Sequence, residues 1–351
     1  MRAADLEKEI RAQKKRAAAR FLNLDSMMGN TWAIFRVIVG ARMTGKSYAV
    51  TNRLCRLKRQ YGENCKCYWL RIAETSTKVL LQNKADKLVD PDLKRQYGLD
   101  LTTKGGAVFD HGKPFCEVYP LVSFGKLKGV GFFDKDFDGK YFIVLDEFQL
   151  EQGERRTSFE ILYNFIGMVE NIARTTKNNI EVWLLGNTLE EASTILKAFN
   201  FLPEKFGRFY LKRKRCIIDN LEPTDEYIKD RKGSIADILG GGNLSNYTNT
   251  IMKDRSLITK ERVKDPVAII KFNKEEDSWF TLWDRNIVRR YSGQNLPLET
   301  DFCMRPYINS YFNKERKNAI IEMFDARTLR FDTLITLAYF QENLQLIRTR
   351  S

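Results

Sequence analysis

Phe35-Arg36-Val37-Ile38-Val39-Gly40-Ala41-Arg42-Met43-Thr44-Gly45-Lys46-Ser47 is an apolar run that breaks into G-x-x-x-x-G-K-S. The pattern is that of a phosphate-binding loop, and each residue type in it has a physical reason. Gly40 and Gly45 let the backbone turn tightly enough for amide N–H groups to converge on an anion. Lys46 carries a charge for the β- and γ-phosphates of a nucleotide such as ATP, and the Ser47 hydroxyl is a ligand for Mg²⁺. Residues 36–39 read as a buried strand, and residues 47–60 as a helix whose N-terminus faces the anion. A chance match in a glycine-containing turn would lack that flanking pair.

Working outward, Tyr141-Phe142-Ile143-Val144-Leu145-Asp146-Glu147 is a buried parallel strand leading into two acids. Asp146, at the strand end, suits the Mg²⁺ shell, and Glu147 suits orienting or deprotonating the attacking water. Alone, two acids after a core strand are an ordinary turn; with the loop upstream they complete one metal–nucleotide unit. Residues 180–185 form another buried strand, ending in Gly186-Asn187-Thr188. Asn187 there either senses the γ-phosphate or caps the helix expected over 189–199.

Between these lie a strand over 65–72 that ends in Arg71, a helix over 77–88, a break at Asp90-Pro91, and short strands with glycine-rich turns over 99–120. Leu121-Val122-Ser123-Phe124-Gly125-Lys126-Leu127-Lys128-Gly129-Val130-Gly131 reads as a basic loop. Lys126 and Lys128 would grip phosphates without sequence preference, or sit on a solvated turn. A helix is expected over 159–173. Residues 201–246, with Pro203, Gly207, Pro223, Gly240-Gly241-Gly242 and the basic Leu211-Lys212-Arg213-Lys214-Arg215, read as a linker or small linker subdomain. Three short strands (267–272, 278–283, 286–291) and two helices (308–324, 327–348) follow.

The 351 residues suggest about two domains. A net charge of +14 calls for a polyanionic partner, nucleic acid before membrane. No apolar run is long enough to span a bilayer, and residues 6–21 read as a charged, alanine-rich helix candidate rather than a secretory leader. Six cysteines without a C-x-x-C pair, and one histidine, His111 in a turn, argue against zinc and histidine-based catalysis. The cysteines read as buried, reduced thiols of a cytoplasmic protein.

The order strand, loop, helix, strand ending in arginine, helix, strand-Asp-Glu, strand-Gly-Asn-Thr resembles the additional-strand catalytic-glutamate (ASCE) branch of P-loop NTPases, with a RecA-like α/β core. Arg42, third in the loop, resembles viral genome-packaging motors. Val39-Gly40-Ala41-Arg42, Gly45-Lys46-Ser47-Tyr48-Ala49, Tyr61-Gly62-Glu63, Tyr68-x-x-Arg71, Val144-Leu145-Asp146-Glu147-Phe148 and Leu329-Arg330-Phe331-Asp332 are similar, in order, to the DNA-packaging ATPases of phi29-like phages. That resemblance implies an ATPase domain over 1–200, the linker over 201–246, and a smaller α+β vestigial ribonuclease-H-like domain over 247–351 that contacts nucleic acid or the portal. It implies ATP and Mg²⁺ as cofactors, with the nucleotide held by Gly40, Ala41, Arg42, Met43, Thr44, Gly45, Lys46, Ser47 and Asn187. Partners would be double-stranded DNA held by Lys126 and Lys128, the portal of a procapsid, copies of the chain in a ring (commonly a pentamer), and in some systems a structural packaging RNA. The setting is the host cytoplasm, with no membrane. Arg42 would touch the γ-phosphate, and Arg174, or else Lys177 or Arg155, would act on a neighbour's ATP. Residues 267–272 carry no carboxylate, so no nuclease activity is expected of the second domain. A P-loop helicase or translocase acting away from capsids, and a basic DNA-binding protein with an inert loop, are the alternatives.

Overall fold

The computed structural model of the chain describes residues 24–41, 43–123, 136–147, 158–173, 179–187, 194–233, 238, 255–274, 276–294, 301–304 and 313–348. The chain divides into two compact units, Met1–Phe199 with Lys205–Ile251 and Asn200–Glu204 with Met252–Ser351.

The first unit is built on nine strands: β1 (Phe35–Val39), β2 (Cys65–Arg71), β3 (Leu101–Lys104), β4 (Ala107–Asp110), β5 (Lys113–Pro120), β6 (Lys140–Asp146), β7 (Ile180–Gly186), β8 (Gly207–Leu211) and β9 (Cys216–Asn220). They run in the order β3-β4-β5-β2-β6-β7-β1-β9-β8. The central β5-β2-β6-β7-β1-β9 are parallel, and antiparallel β4 and β8 flank them. Strands covered on both faces need continuous apolar sequence. Val37, Ile38, Phe142, Ile143, Val144, Val182 and Trp183 accordingly have no solvent exposure.

Besides the short helix Asp25–Met28, the helices among the described residues of this unit are α1 (Lys46–Tyr61), α2 (Glu74–Ala85), α3 (Pro91–Tyr97), α4 (Ser158–Ile172), α5 (Thr194–Ala198) and α6 (Asp225–Arg231). Helix α1 starts after Gly45 in the left-handed conformation (φ 80°) and closes with Lys58 and Arg59, cations that suit its dipole. An ion cluster clamps α1 to the sheet. Arg53 of α1 donates from Nε and Nη2 to both oxygens of Glu181 on β7, each at 3.2 Å. Lys140 Nζ lies 2.7 Å from Glu181 Oε2, and Trp183 Nε1 donates to Oε1 at 2.9 Å. Burial pushes the Glu181 carboxyl up, but the Arg53 fork, Lys140 and Arg36 outweigh it and hold it at about 2.

Two sequence expectations change here. The Asp90-Pro91 break is the start of a helix: the Asp90 carboxylate accepts from Asp92 N at 2.8 Å, and Pro91 takes the first position, where its missing N–H costs nothing. The expected linker supplies β8, β9 and α6. Cys216-Ile217-Ile218 is short beside the basic run that precedes it, and only its pairing with β1 makes it a core strand.

The second unit holds β10 (Pro266–Lys271), β11 (Trp279–Trp283), β12 (Ile287–Arg290), β13 (Asp301–Cys303) and β14 (Arg330–Phe331), with helices α7 (Lys314–Asp325) and α8 (Leu334–Arg348). The order is β13-β10-β11-β12-β14; β10-β11-β12 is an antiparallel meander, and β13 joins β10 in parallel. Phe272, Phe280 and Phe331 converge on Phe340 of α8 with ring centroids 5.2 to 5.3 Å away. The helix expected from residue 327 begins at Leu334, because Arg330–Phe331 pairs with β12 instead.

Candidate nucleotide site

β1 lies between β7 and β9; the chain crosses from β1 to β2 on one side and from β7 to β8 and β9 on the other, and the C-terminal edge at such a point is where open α/β sheets bind ligands. The register brings the motifs together there. Asp146 pairs with Leu185, Leu70 with Leu145, and Val39 with Gly186. The phosphate loop, the Asp-Glu pair, Arg71 and Asn187 therefore share one end of the sheet.

The loop is tightly drawn. Gly40 N donates to Gly186 O at 3.1 Å, one residue before Asn187. A Cβ on Gly40 would stand 2.9 Å from Cβ and Cδ1 of Leu221, so glycine is required by close approach. Met43 has φ 64° and is exposed. Lys46 is buried, and its Nζ donates to the carbonyls of Gly40 at 2.7 Å and Ala41 at 2.8 Å, and to Thr44 Oγ1 at 3.4 Å. Ser47 Oγ donates to Asp146 Oδ1 at 3.2 Å, across strands that sequence alone keeps far apart. Asp146 is buried, while Glu147 stands exposed in the left-handed region at φ 54°.

Arg71 was legible as a strand end, but no role for it follows from local pattern. Its Nη2 donates to Asp146 Oδ2 at 2.8 Å and its Nη1 to Glu147 Oε2. One guanidinium thus neutralises both carboxylates, and the signal that would have found it is the β2–β6 register. Leu221, which floors the loop and donates its N–H to Val39 O at 2.8 Å, was also missed. Arg42, Lys126, Lys128, Arg155, Arg174 and Lys177 lie outside the described residues.

The donor set fits a magnesium nucleotide. Ser47 and Asp146 place a hydroxyl and a carboxylate oxygen side by side, the hard donors Mg²⁺ takes. The backbone amides at the start of α1 and the Lys46 ammonium suit phosphate oxygens. His111 is a surface turn residue at φ 47°, and all six cysteines are buried and unbridged. Among the described residues, no group of three or more metal-binding side chains occurs and no helix is long and apolar enough to cross a membrane.

A large, mostly parallel sheet with this loop and carboxylate pair at its C-terminal edge is the arrangement of an ATPase core. The chain is similar in fold to solved viral motors over most of its length. It matches a structure described as the Phi-28 gp11 DNA packaging motor at TM-score 0.59 and 16% identity, over 93% of this chain and 98% of that one. It matches the bacteriophage Phi-29 viral genome packaging motor assembly at TM-score 0.63 and 19% identity, over 94% and 99%. The likeness takes in both units. No protein-family model matches the chain, and no curated protein matches it.

Proposed function

We propose that the chain is an ATP-hydrolysing motor subunit that packages double-stranded phage DNA into a procapsid. The observation that carries this reading is the contact of Ser47 with Asp146, with Lys46 and Glu147 beside it, at the edge of a fold shared with packaging motors. Lys46 exchanges its loop carbonyls for phosphate oxygens. Ser47 and Asp146 would hold Mg²⁺, which would supply positive charge against the phosphates. Glu147, freed from Arg71, accepts a proton from the attacking water. Asn187, next to the loop anchor Gly186, responds to the γ-phosphate. Arg42 joins the γ-phosphate from the loop, and Arg174 of a neighbouring copy supplies transition-state charge, which requires a ring. Lys126 and Lys128 grip the DNA backbone, and the partners are the portal and in some systems a packaging RNA, in the host cytoplasm.

The second unit supports a vestigial ribonuclease-H-like reading: an antiparallel meander whose first strand takes a parallel fourth strand on its other side. That first strand carries the buried Lys271 and no carboxylate, so it lacks a metal ligand. The second unit is accordingly expected to leave plasmid DNA intact with Mg²⁺ or Mn²⁺; nicking that the full chain shows and a Lys46→Ala chain retains would overturn this.

The deciding experiment is Glu147→Gln. It should bind ATP as the parent does and release phosphate about 100-fold or more slowly; phosphate release at the parent rate would refute the assignment.

A further inference from the structure

The basic run Lys212-Arg213-Lys214-Arg215, which the ATP site does not use, forms a rigid tip on the β8–β9 hairpin. Lys212–Lys214 is a single 3₁₀ turn, and Arg215 follows in the left-handed region at φ 47°. The tip is tied at three points. Arg215 N donates to Lys212 O at 3.0 Å, Arg215 O accepts from Ile34 N at 2.8 Å and Phe35 N at 3.0 Å, and Arg215 Nε donates to Trp32 O at 3.1 Å.

All four cations are exposed, and among the described residues none of Lys212, Arg213 and Lys214 is paired with a carboxylate. Adjacent like charges without an acid repel one another, and a solvated face gains nothing from holding them on a fixed backbone. A 3₁₀ turn has three residues per revolution, so successive side chains fan out at about 120°. Exposed, outward-fanned cations are donors for backbone phosphates and carry no sequence preference. Tyr210, half exposed beside Trp32 at 6.4 Å between ring centroids, adds an aromatic flank.

Cys216 pairs with Phe35 and Asn220 with Val39, so the tip lies at the opposite end of β1 from the phosphate loop, about 16 Å away along the strand. We propose that this hairpin tip is a docking site for the phosphate backbone of duplex DNA, independent of sequence and of nucleotide. It goes beyond the motor reading, since it needs neither ATP nor a ring.

The test is fluorescence anisotropy of a labelled mixed-sequence DNA duplex of about 30 base pairs, with the full chain, without nucleotide, across a KCl series. Lys212→Gln/Arg213→Gln/Lys214→Gln should weaken binding about tenfold or more near 0.1 M salt. It should also reduce the slope of log K against log[KCl] by about 2 to 3, at roughly 0.9 for each phosphate no longer neutralised. The charge-preserving Lys212→Arg/Arg213→Lys/Lys214→Arg should retain both affinity and slope. An unchanged slope in the Gln variant overturns the proposal. So does an equal loss in the control Lys78→Gln/Lys104→Gln/Lys113→Gln, which would make net charge the whole effect. Retained DNA binding with loss of a matching RNA duplex also overturns it, in favour of an RNA surface. Basal phosphate release, expected to match the parent in every variant, is read separately, so failure of the ATPase reading leaves the anisotropy result standing.

Discussion

Gly40 shows how little space a phosphate loop leaves. Gly40→Ala would press a methyl group onto Leu221, an overpacking that costs about 1–3 kcal/mol and moves the loop off the position its amides need. We expect lower thermal stability and weaker ATP binding, both restored in part when Leu221→Ala is added; additive losses in the double variant would disprove the contact. Arg71→Ala should act differently. It strands the buried Asp146 carboxylate beside Glu147, a loss of about 3 kcal/mol or more in nucleotide-free protein. Magnesium should recover part of that, because the cation replaces the lost charge, and melting curves with and without Mg·ATP would show it. The phosphate-loop pattern and the acidic end of β6 were legible in sequence, because each is a local motif, and Ser47 does meet Asp146. Arg71 and Leu221 were not, because their roles arise from strand register, which no local pattern encodes.

At the scale of elements, the clamp between α1 and β7 ties the helix that carries Lys46 and Ser47 to the strand that ends beside the loop. The folded Glu181 carboxyl sits at about 2, below its ordinary value near 4.5. Its stabilisation is therefore complete above pH 5 and is lost as pH falls from about 4.5 through 2, a contribution of about 3 kcal/mol. Glu181→Gln should be less stable at pH 7 and should show a flatter stability profile between pH 5 and 2, measured by urea unfolding. A profile parallel to the parent's would assign acid sensitivity elsewhere. Most strands here were readable from continuous apolar runs. The exceptions, strands β8, β9, β13 and β14 and helices α3 and α6, are short, and each is made by a neighbour or a cap rather than by its own pattern.

For the whole molecule, the division into two units has a measurable consequence. Phe340→Ala removes the ring on which Phe272, Phe280 and Phe331 converge and should cost the second unit about 3–5 kcal/mol. Binding of a fluorescent ATP analogue by the nine-stranded unit should survive it, while amide protection in β10–β12 is lost. In an assembled ring, Arg174→Ala subunits mixed with the parent should depress ATPase more than in proportion to their share; strict proportionality would point to another trans-acting cation. The α/β class was legible in sequence, since the phosphate loop implies the sheet around it. The end of the first unit was not, because β9 lies between Pro203 with the basic run on one side and Pro223 on the other, residues that read as a linker. That placement also sets a timetable for synthesis. As the chain emerges from the ribosome, β1 appears early but has an open edge until β9 arrives to pair with it. Leu221, the floor of the loop, comes directly after. A chain cut at residue 200 would leave Val37 and Ile38 on an unpaired parallel edge, the kind of strand that recruits its own copies into aggregates. The segment that looks most dispensable in the sequence is the one whose arrival ends the nascent protein's stickiest interval.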